Sequence, residues 1–306
     1  MIGRMRQVLV GVKGLLKLAG SASQQADELK LLMGTMLAEA VAHRHGYARL
    51  AELEFKVFSQ FGDDGIIQYL THNLDFRHRT FVEFGVDDYM ESNTRFLLQK
   101  DNWSGFVMDG SSRNIQKLKN TPFFWKHDLK AEAVFITKEN IHQLLRDHTA
   151  CWSGLDLLHI DLDGNDYWIW REIDLTPAVV IMEYNSSFGI DRAISIPYSA
   201  DFRRSEAHFS NLYWGTSLKA LHALAAQKGY IFIGCNSAGN NAYFVRRDAM
   251  NDSVRKVSLE EGYVVSKYRE ARDPAGNLTF LSGAQRAEAI RGLPVYDIEQ
   301  DRIVPF

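Results

Sequence analysis

The chain has 306 residues, 46% hydrophobic and 24% charged, with a formal net charge of −3. That is the balance of a soluble globular protein of one or two domains. Near-neutral charge excludes a global attraction to nucleic acid, and no apolar run reaches the roughly 18 residues that a membrane-spanning helix needs.

The first stretch, MIGRMRQVLVGVKGLLKLAGSAS, imitates a secretory leader, but Lys13 and Lys17 interrupt its apolar part. Ile2, Met5, Leu9, Val12 and Leu16 recur at helical spacing beside Arg4 and Arg6. This basic helix is expected to pack on the body or on a second copy, giving a homo-oligomer. Lying on a membrane surface is the alternative. The chain is therefore expected to be cytoplasmic, with peripheral contact to the inner membrane face as a secondary expectation. A second stripe at Leu29, Leu32, Met36 and Leu37 extends the helical segment, so residues 1–55 are read as an N-terminal helical unit. The two cysteines, Cys151 and Cys235, sit among apolar residues without metal-type spacing and read as buried free thiols.

From residue 56 the pattern changes. DDGIIQYLTHNL carries Ile66, Ile67, Leu70 and Leu74 on one helical face. Short apolar runs then alternate with helical stretches: TFVEF (80–84), GFVMD (105–109), PFFWKHD (122–128), DLLHID (156–161), AVVIMEY (178–184), YIFIGC (230–235) and AYFVRR (242–247). Helices are expected after a Thr137 cap and from Ser217 to near Gly229. The alternation predicts an α/β fold with a seven-stranded, mainly parallel sheet. The turn-rich NSAGNN link makes the last two strands an antiparallel pair. This is the strand pattern of the Rossmann-like class I methyltransferase fold, an analogy of fold alone. It spans residues 56–250, and residues 251–306 read as an extension packed on the core.

Ligands of such sheets bind at the C-terminal strand ends. The first strand ends FVEFGVDDYMES, which puts Glu83 and Gly85 at the cofactor position. A dinucleotide fingerprint would need more glycines there. Instead Asp87, Asp88 and Glu91 follow, and these acids repel a pyrophosphate but not the sulfonium of S-adenosylmethionine. Asp109, ending the second strand, is placed to accept hydrogen bonds from ribose hydroxyls. Asp128, after the run at 122–128, is read either as facing an adenine amino group or as a turn cap.

The stretch LLHIDLDGNDYWIW releases Asp161, Asp163 and Asp166 within six positions. If extended backbone persists to Asp163, then Asp161 and Asp163 share a face. Glu183 ends the next strand at equivalent height, with Asn185 just beyond. Such hard oxygen ligands suit Mg²⁺. A metal-bound hydroxyl still needs a base, and a second carboxylate can serve. The alternative has the aspartates capping the following helix.

Together SQFGDDGII, FVEFGVDDYMESNTRFLL, HIDLDGNDYWIW, IMEYNSSFG and the stretch GTSLKALHALAAQKGYIFIGCNSAGNNAYFVRRD resemble the FkbM-like class I methyltransferases. The resemblance covers about residues 56–250 and implies S-adenosylmethionine-dependent O-methylation, often of sugars. It also implies that Gln60 closes over the cofactor, against a helix-capping alternative. More distantly, the chain resembles metal-dependent macrocin and novobiocin sugar O-methyltransferases. That likeness implies Asp161 and Glu183 as metal ligands and Asp163 as general base. Tyr184 replaces the second acid of that family's pair, leaving Asn185 as a neutral substitute ligand.

The loop at 186–212 is where a substrate lid is expected. Arg192, Arg203 and Arg204 are read as contacts to a nucleotide-linked sugar or as solvated surface. Tyr198 and His208 are candidate pocket residues, with His208 an alternative base to Asp163. The expected partner is a small-molecule or glycan substrate. Two competing readings are an NAD-dependent oxidoreductase and a non-catalytic assembly module.

Overall fold

The computed structural model describes Ala22, residues 24–267 and residues 269–306. The basic helix expected around residues 2–16 lies outside the described residues. Residues 24–42 form helix α1, which docks on the body through Ala38 and Ala42 and an ion pair between Asp27 and Arg95 (2.5 Å). The Arg95 guanidinium is held over the rings of Phe58 (3.9 Å) and Phe123 (4.6 Å). The stripe at Leu29, Leu32, Met36 and Leu37 faces outward.

The body is built on seven strands: β1 (Thr80–Phe84), β2 (Ser104–Asp109), β3 (Leu129–Ala133), β4 (Leu157–Ile160), β5 (Val179–Glu183), β7 (Tyr230–Cys235) and β8 (Asn241–Arg246). Their order is β3-β2-β1-β4-β5-β8-β7. The strands run parallel except β8, which is antiparallel to both neighbours. This is the Rossmann-like class I methyltransferase arrangement that the alternation predicts. Alternate residues of one strand enter different cores: Phe81 packs on one face of the sheet and Val82 on the other. Both faces are covered, which is why these strands read as continuous apolar runs. Helix α2 (Asp63–Asn73) and the helix Leu218–Gln227 match the expected stretches, and Ser217 Oγ caps the latter by accepting from Ala220 N (3.3 Å).

The third strand is a correction. PFFWKHD forms a turn with a short 3-10 segment at Phe124–Lys126, and β3 is the following LKAEA. Phe123 is drawn under the Arg95 guanidinium rather than into the sheet. β3 is a half-exposed edge strand, so its apolar signal is weak. Asp128 therefore precedes its strand, at the end of the sheet away from the ligand edge, where its carbonyl accepts from Gly105 N. The helix expected from Thr137 starts at Ile141, with Asn140 at its N-cap. Cys235 is buried, but Cys151 is exposed in the turn beyond that helix.

A second sheet of three strands joins β6 (Ile194–Ser195) to the hairpin of β9 (Pro294–Asp297) and β10 (Arg302–Pro305). The tail thus packs on the segment that follows β5, around Phe188, Ile194, Leu212, Ile290 and Val295.

Candidate functional site

A cleft of about 420 Å³ opens over the C-terminal ends of β1, β2, β4 and β5, within the size range of small-molecule sites. Its wall begins at a buried ion pair. Glu83 accepts from His159 Nδ1 (3.0 Å), Ser92 Oγ (2.6 Å), Asn93 N (3.0 Å), Thr94 N (3.2 Å) and Thr94 Oγ1. Burial disfavours both charges. Their mutual hydrogen bond and charge attraction, added to the Ser92 and Thr94 donors at Glu83 and the Asp161 and Asp63 charges at His159, together outweigh it, holding Glu83 below and His159 above its ordinary value. Glu83 thus lines the cleft while its carboxylate ties down the 92–94 loop. Gly85 follows with φ +69°, and a Cβ there would lie 1.7 Å from the Asp161 carbonyl oxygen. Only glycine allows the ends of β1 and β4 to approach so closely.

The floor is acidic. Asp161, Asp163 and Glu183 each offer an oxygen, and these lie within 4.8 Å of one another. The β4–β5 register pairs Ile160 with Met182, which sets Asp161 beside Glu183 at the height the strand ends predict. Asp163 arrives differently: β4 stops at Ile160, and Asp163 takes a left-handed turn conformation (φ 52°). The turn itself is made by Asp166, whose carboxylate accepts from Leu162 N (2.7 Å) and Gly164 N (3.0 Å). Burial, then the Asp163 charge, pushes Asp161 up to about 7. Burial and the Asp161 charge push Glu183 well above the carboxylate range. Among the described residues, Glu183 Oε2 is buried without a hydrogen-bond partner. An orphaned oxygen beside two further carboxylates fits a hard divalent cation. Arg204 already answers part of this charge, donating to Asp163 Oδ1 (2.6 Å).

Opposite the floor, Asp109 accepts from Asp87 N (2.9 Å) and Ser111 N (2.7 Å) and keeps lone pairs toward the cleft. Gln60 also lines the cleft. Its segment is fixed by Asp64, whose Oδ2 accepts from the backbone N–H groups of Val57, Phe58 and Ser59. Lys56 adds a bond to the Gln60 carbonyl (2.8 Å) and an ion pair with Glu91 (3.1 Å). Asp63 accepts from Asn236, Asn241 and Tyr243, fixing the NSAGNN turn and so placing Asn240 and Asn241 on the cleft.

Several expected residues are not brought there. Asp128 lies at the wrong end of the sheet, as described. Asn185 is fully engaged: its amide donates to the Leu212 and Trp214 carbonyls and its oxygen accepts from Ser187 N. It stands outside the group of three acids. His208 bonds Ser210 Oγ (2.8 Å), and burial lowers its pKa. Arg192 turns to the tail, toward Asp297 (3.7 Å) and the Pro305 carbonyl. Tyr198 donates to Glu139 (2.5 Å). Arg203 stands over the ring of Phe135, which lines the cleft, without lining it itself. Arg204, Phe202 and Glu270 do line it. Glu270 carries no sequence signal, because it enters from the C-terminal segment.

No family model matches the chain, and no curated protein matches it. Solved structures do. The N-terminal domain of EvdMO1, determined in the presence of SAH and D-fucose, is 11% identical over 68% of this chain and 91% of its own, with a TM-score of 0.38. A S-adenosylmethionine-dependent methyltransferase from Clostridium acetobutylicum is 12% identical over 60% and 90%, TM-score 0.38. An O-methyltransferase from Bacillus cereus in complex with SAH is 11% identical over 71% and 91%, TM-score 0.41. Identities this low say nothing about substrate.

Proposed function

We propose that the chain is an S-adenosylmethionine-dependent O-methyltransferase acting on a sugar or polyol hydroxyl, assisted by a divalent metal such as Mg²⁺. The observation that carries this reading is the charge of one cleft. Acids line both ends of it: Asp87, Asp109 and Glu91 near β1 and β2, and Asp161, Asp163 and Glu183 at β4 and β5. Such a wall favours a cationic donor over the pyrophosphate of a dinucleotide, and only Gly85 stands where a dinucleotide turn needs several glycines.

S-Adenosylmethionine, when bound, supplies a methyl group on a positive sulfur. Asp109 would accept from the ribose hydroxyls, and Gln60, on the stitched 57–60 segment that lines the cleft, would close over the cofactor. Asp161 and Glu183 would hold a divalent cation, which would supply a lowered pKa to a bound hydroxyl. Asp163, exposed at the cleft and paired with Arg204, would take the proton of that hydroxyl. The exposed stripe on α1 supports a homo-oligomer formed through the N-terminal helices.

Calorimetry with S-adenosylhomocysteine, with and without Mg²⁺, tests the proposal on wild type and Asp161→Asn. Expected is cofactor binding by both proteins, with the Mg²⁺ heat lost in the variant. Binding of NADH in place of S-adenosylhomocysteine overturns the reading, and so does the absence of both.

A further inference from the structure

Among the described residues, Arg286 carries a buried guanidinium without a counter-charge. It lies on a short helix, Ala284–Ala289, and is only 4% exposed. Its Nε and Nη1 have no hydrogen-bond partner, and no acid among the described residues forms an ion pair with it. Burial first, then the like charge of Arg204, lowers its pKa, and the Tyr263 phenol acts the other way. An unpaired buried cation is among the costliest arrangements a fold can hold.

Two further orphan donors belong to the same quarter. The Ala284–Ala289 helix packs on the turn Ser186–Phe188, where Ser187 Oγ is buried without a partner. Trp214, whose ring lies 4.6 Å from the Arg204 guanidinium, has its buried Nε1–H unpaired. Arg204 itself reaches the cleft, between Asp163 (2.6 Å) and Glu270 (3.6 Å). Buried donors are nearly always satisfied. Arg286, Ser187 on the turn its helix packs against, and Trp214 under Arg204 all keep donors that want acceptor oxygens, and Arg286 wants negative charge as well.

We propose that Arg286, with Ser187 and Trp214, forms a subsite for an anionic oxygen substituent of the methyl acceptor, a carboxylate or a phosphate. Calling the bound molecule the acceptor rests on the methyltransferase reading; the anion site itself does not. The link to the cleft runs through Trp214, whose ring lies under the Arg204 guanidinium that pairs with Asp163. The residue that selects the acceptor then comes from the C-terminal segment, with no motif of its own.

Thermal unfolding of the full chain tests this, with D-glucuronate, D-glucose 6-phosphate, inorganic phosphate and uncharged D-glucose as probes, at matched ionic strength. Each probe is run with and without S-adenosylhomocysteine. At about a hundredfold excess over its Kd, an anionic probe should raise Tm by about 5 °C, and glucose should not. Arg286→Met should leave the Tm of the free protein unchanged or higher, because an uncompensated charge is removed. It should abolish the anion shift and keep the S-adenosylhomocysteine shift. Arg286→Lys should keep part of the anion shift. A lower Tm for Arg286→Met, with the anion shift intact or never present, overturns the proposal. A response to glucuronate alone or to phosphates alone supports the site and assigns the group. If S-adenosylhomocysteine fails to shift wild type while the anions succeed, the methyltransferase reading falls and the anion site stands.

Discussion

Replacing Glu83 with Gln tests whether this carboxylate is spent on structure. It accepts from five donors on four residues: His159, Ser92, Asn93 and Thr94 twice. A Gln amide turns one acceptor into a donor facing donors, so at least two of the five are left unpaired. Each unpaired buried group costs about 1–3 kcal/mol. Losing one partner of a buried ion pair costs about 3–5 kcal/mol in all, and we expect a loss in that range. Urea unfolding at pH 6 measures it. The pH dependence follows in sign. Glu83 lies below its ordinary value, so its contribution is present above about 4.5 and is lost as pH falls through the folded value. His159 lies above its ordinary value, so its contribution is present below about 6.5 and is lost as pH rises through the folded value. The difference between wild type and Glu83→Gln should therefore peak between those two pH values. A loss under about 1 kcal/mol, or a difference flat with pH, would refute the reasoning.

Gly85→Ala should cost about 2–5 kcal/mol, from the positive φ and the 1.7 Å approach to the Asp161 carbonyl, and should weaken S-adenosylhomocysteine binding in calorimetry. Asp64, although it accepts several hydrogen bonds, is raised by burial to about 6. Its folded value exceeds the unfolded one, so it favours folding at low pH and loses about 3 kcal/mol of that as pH rises from 4 past 6. Asp64→Asn should remove this component, seen by comparing denaturant midpoints of the two proteins across that window. Leu32→Glu, on the exposed face of α1, should convert the proposed oligomer to a monomer in light scattering without lowering Tm; an unchanged mass counts against assembly through that face.

Strands β1, β4, β5, β7 and β8 were legible because both faces of the sheet are covered there, leaving them as short, mostly apolar runs. The edge strand β3 was not, since LKAEA is half-exposed while the more apolar PFFW serves a turn. That single shift misplaced Asp128. In the site, the meeting of Asp161 and Glu183 was readable from strand ends of equal height, because parallel register is regular. Asp163 reaches the same place by a left-handed turn rather than by extended chain, which strand periodicity does not describe.

Short-range physics, written in the order of residues, sets where the buried strands lie and that the acids crowd the ligand edge of the sheet. How side chains distant in the chain divide the work is settled only by folding. Glu83 was free to serve a cofactor until His159, 76 positions away, claimed it. Asn185 was a possible ligand until the Leu212 and Trp214 carbonyls took its amide. Arg286 had no visible role until folding buried it without an acidic partner among the described residues. Local pattern fixes a residue's chemistry and its element. Which partner satisfies it depends on burial and distance, and those exist only once the chain has closed.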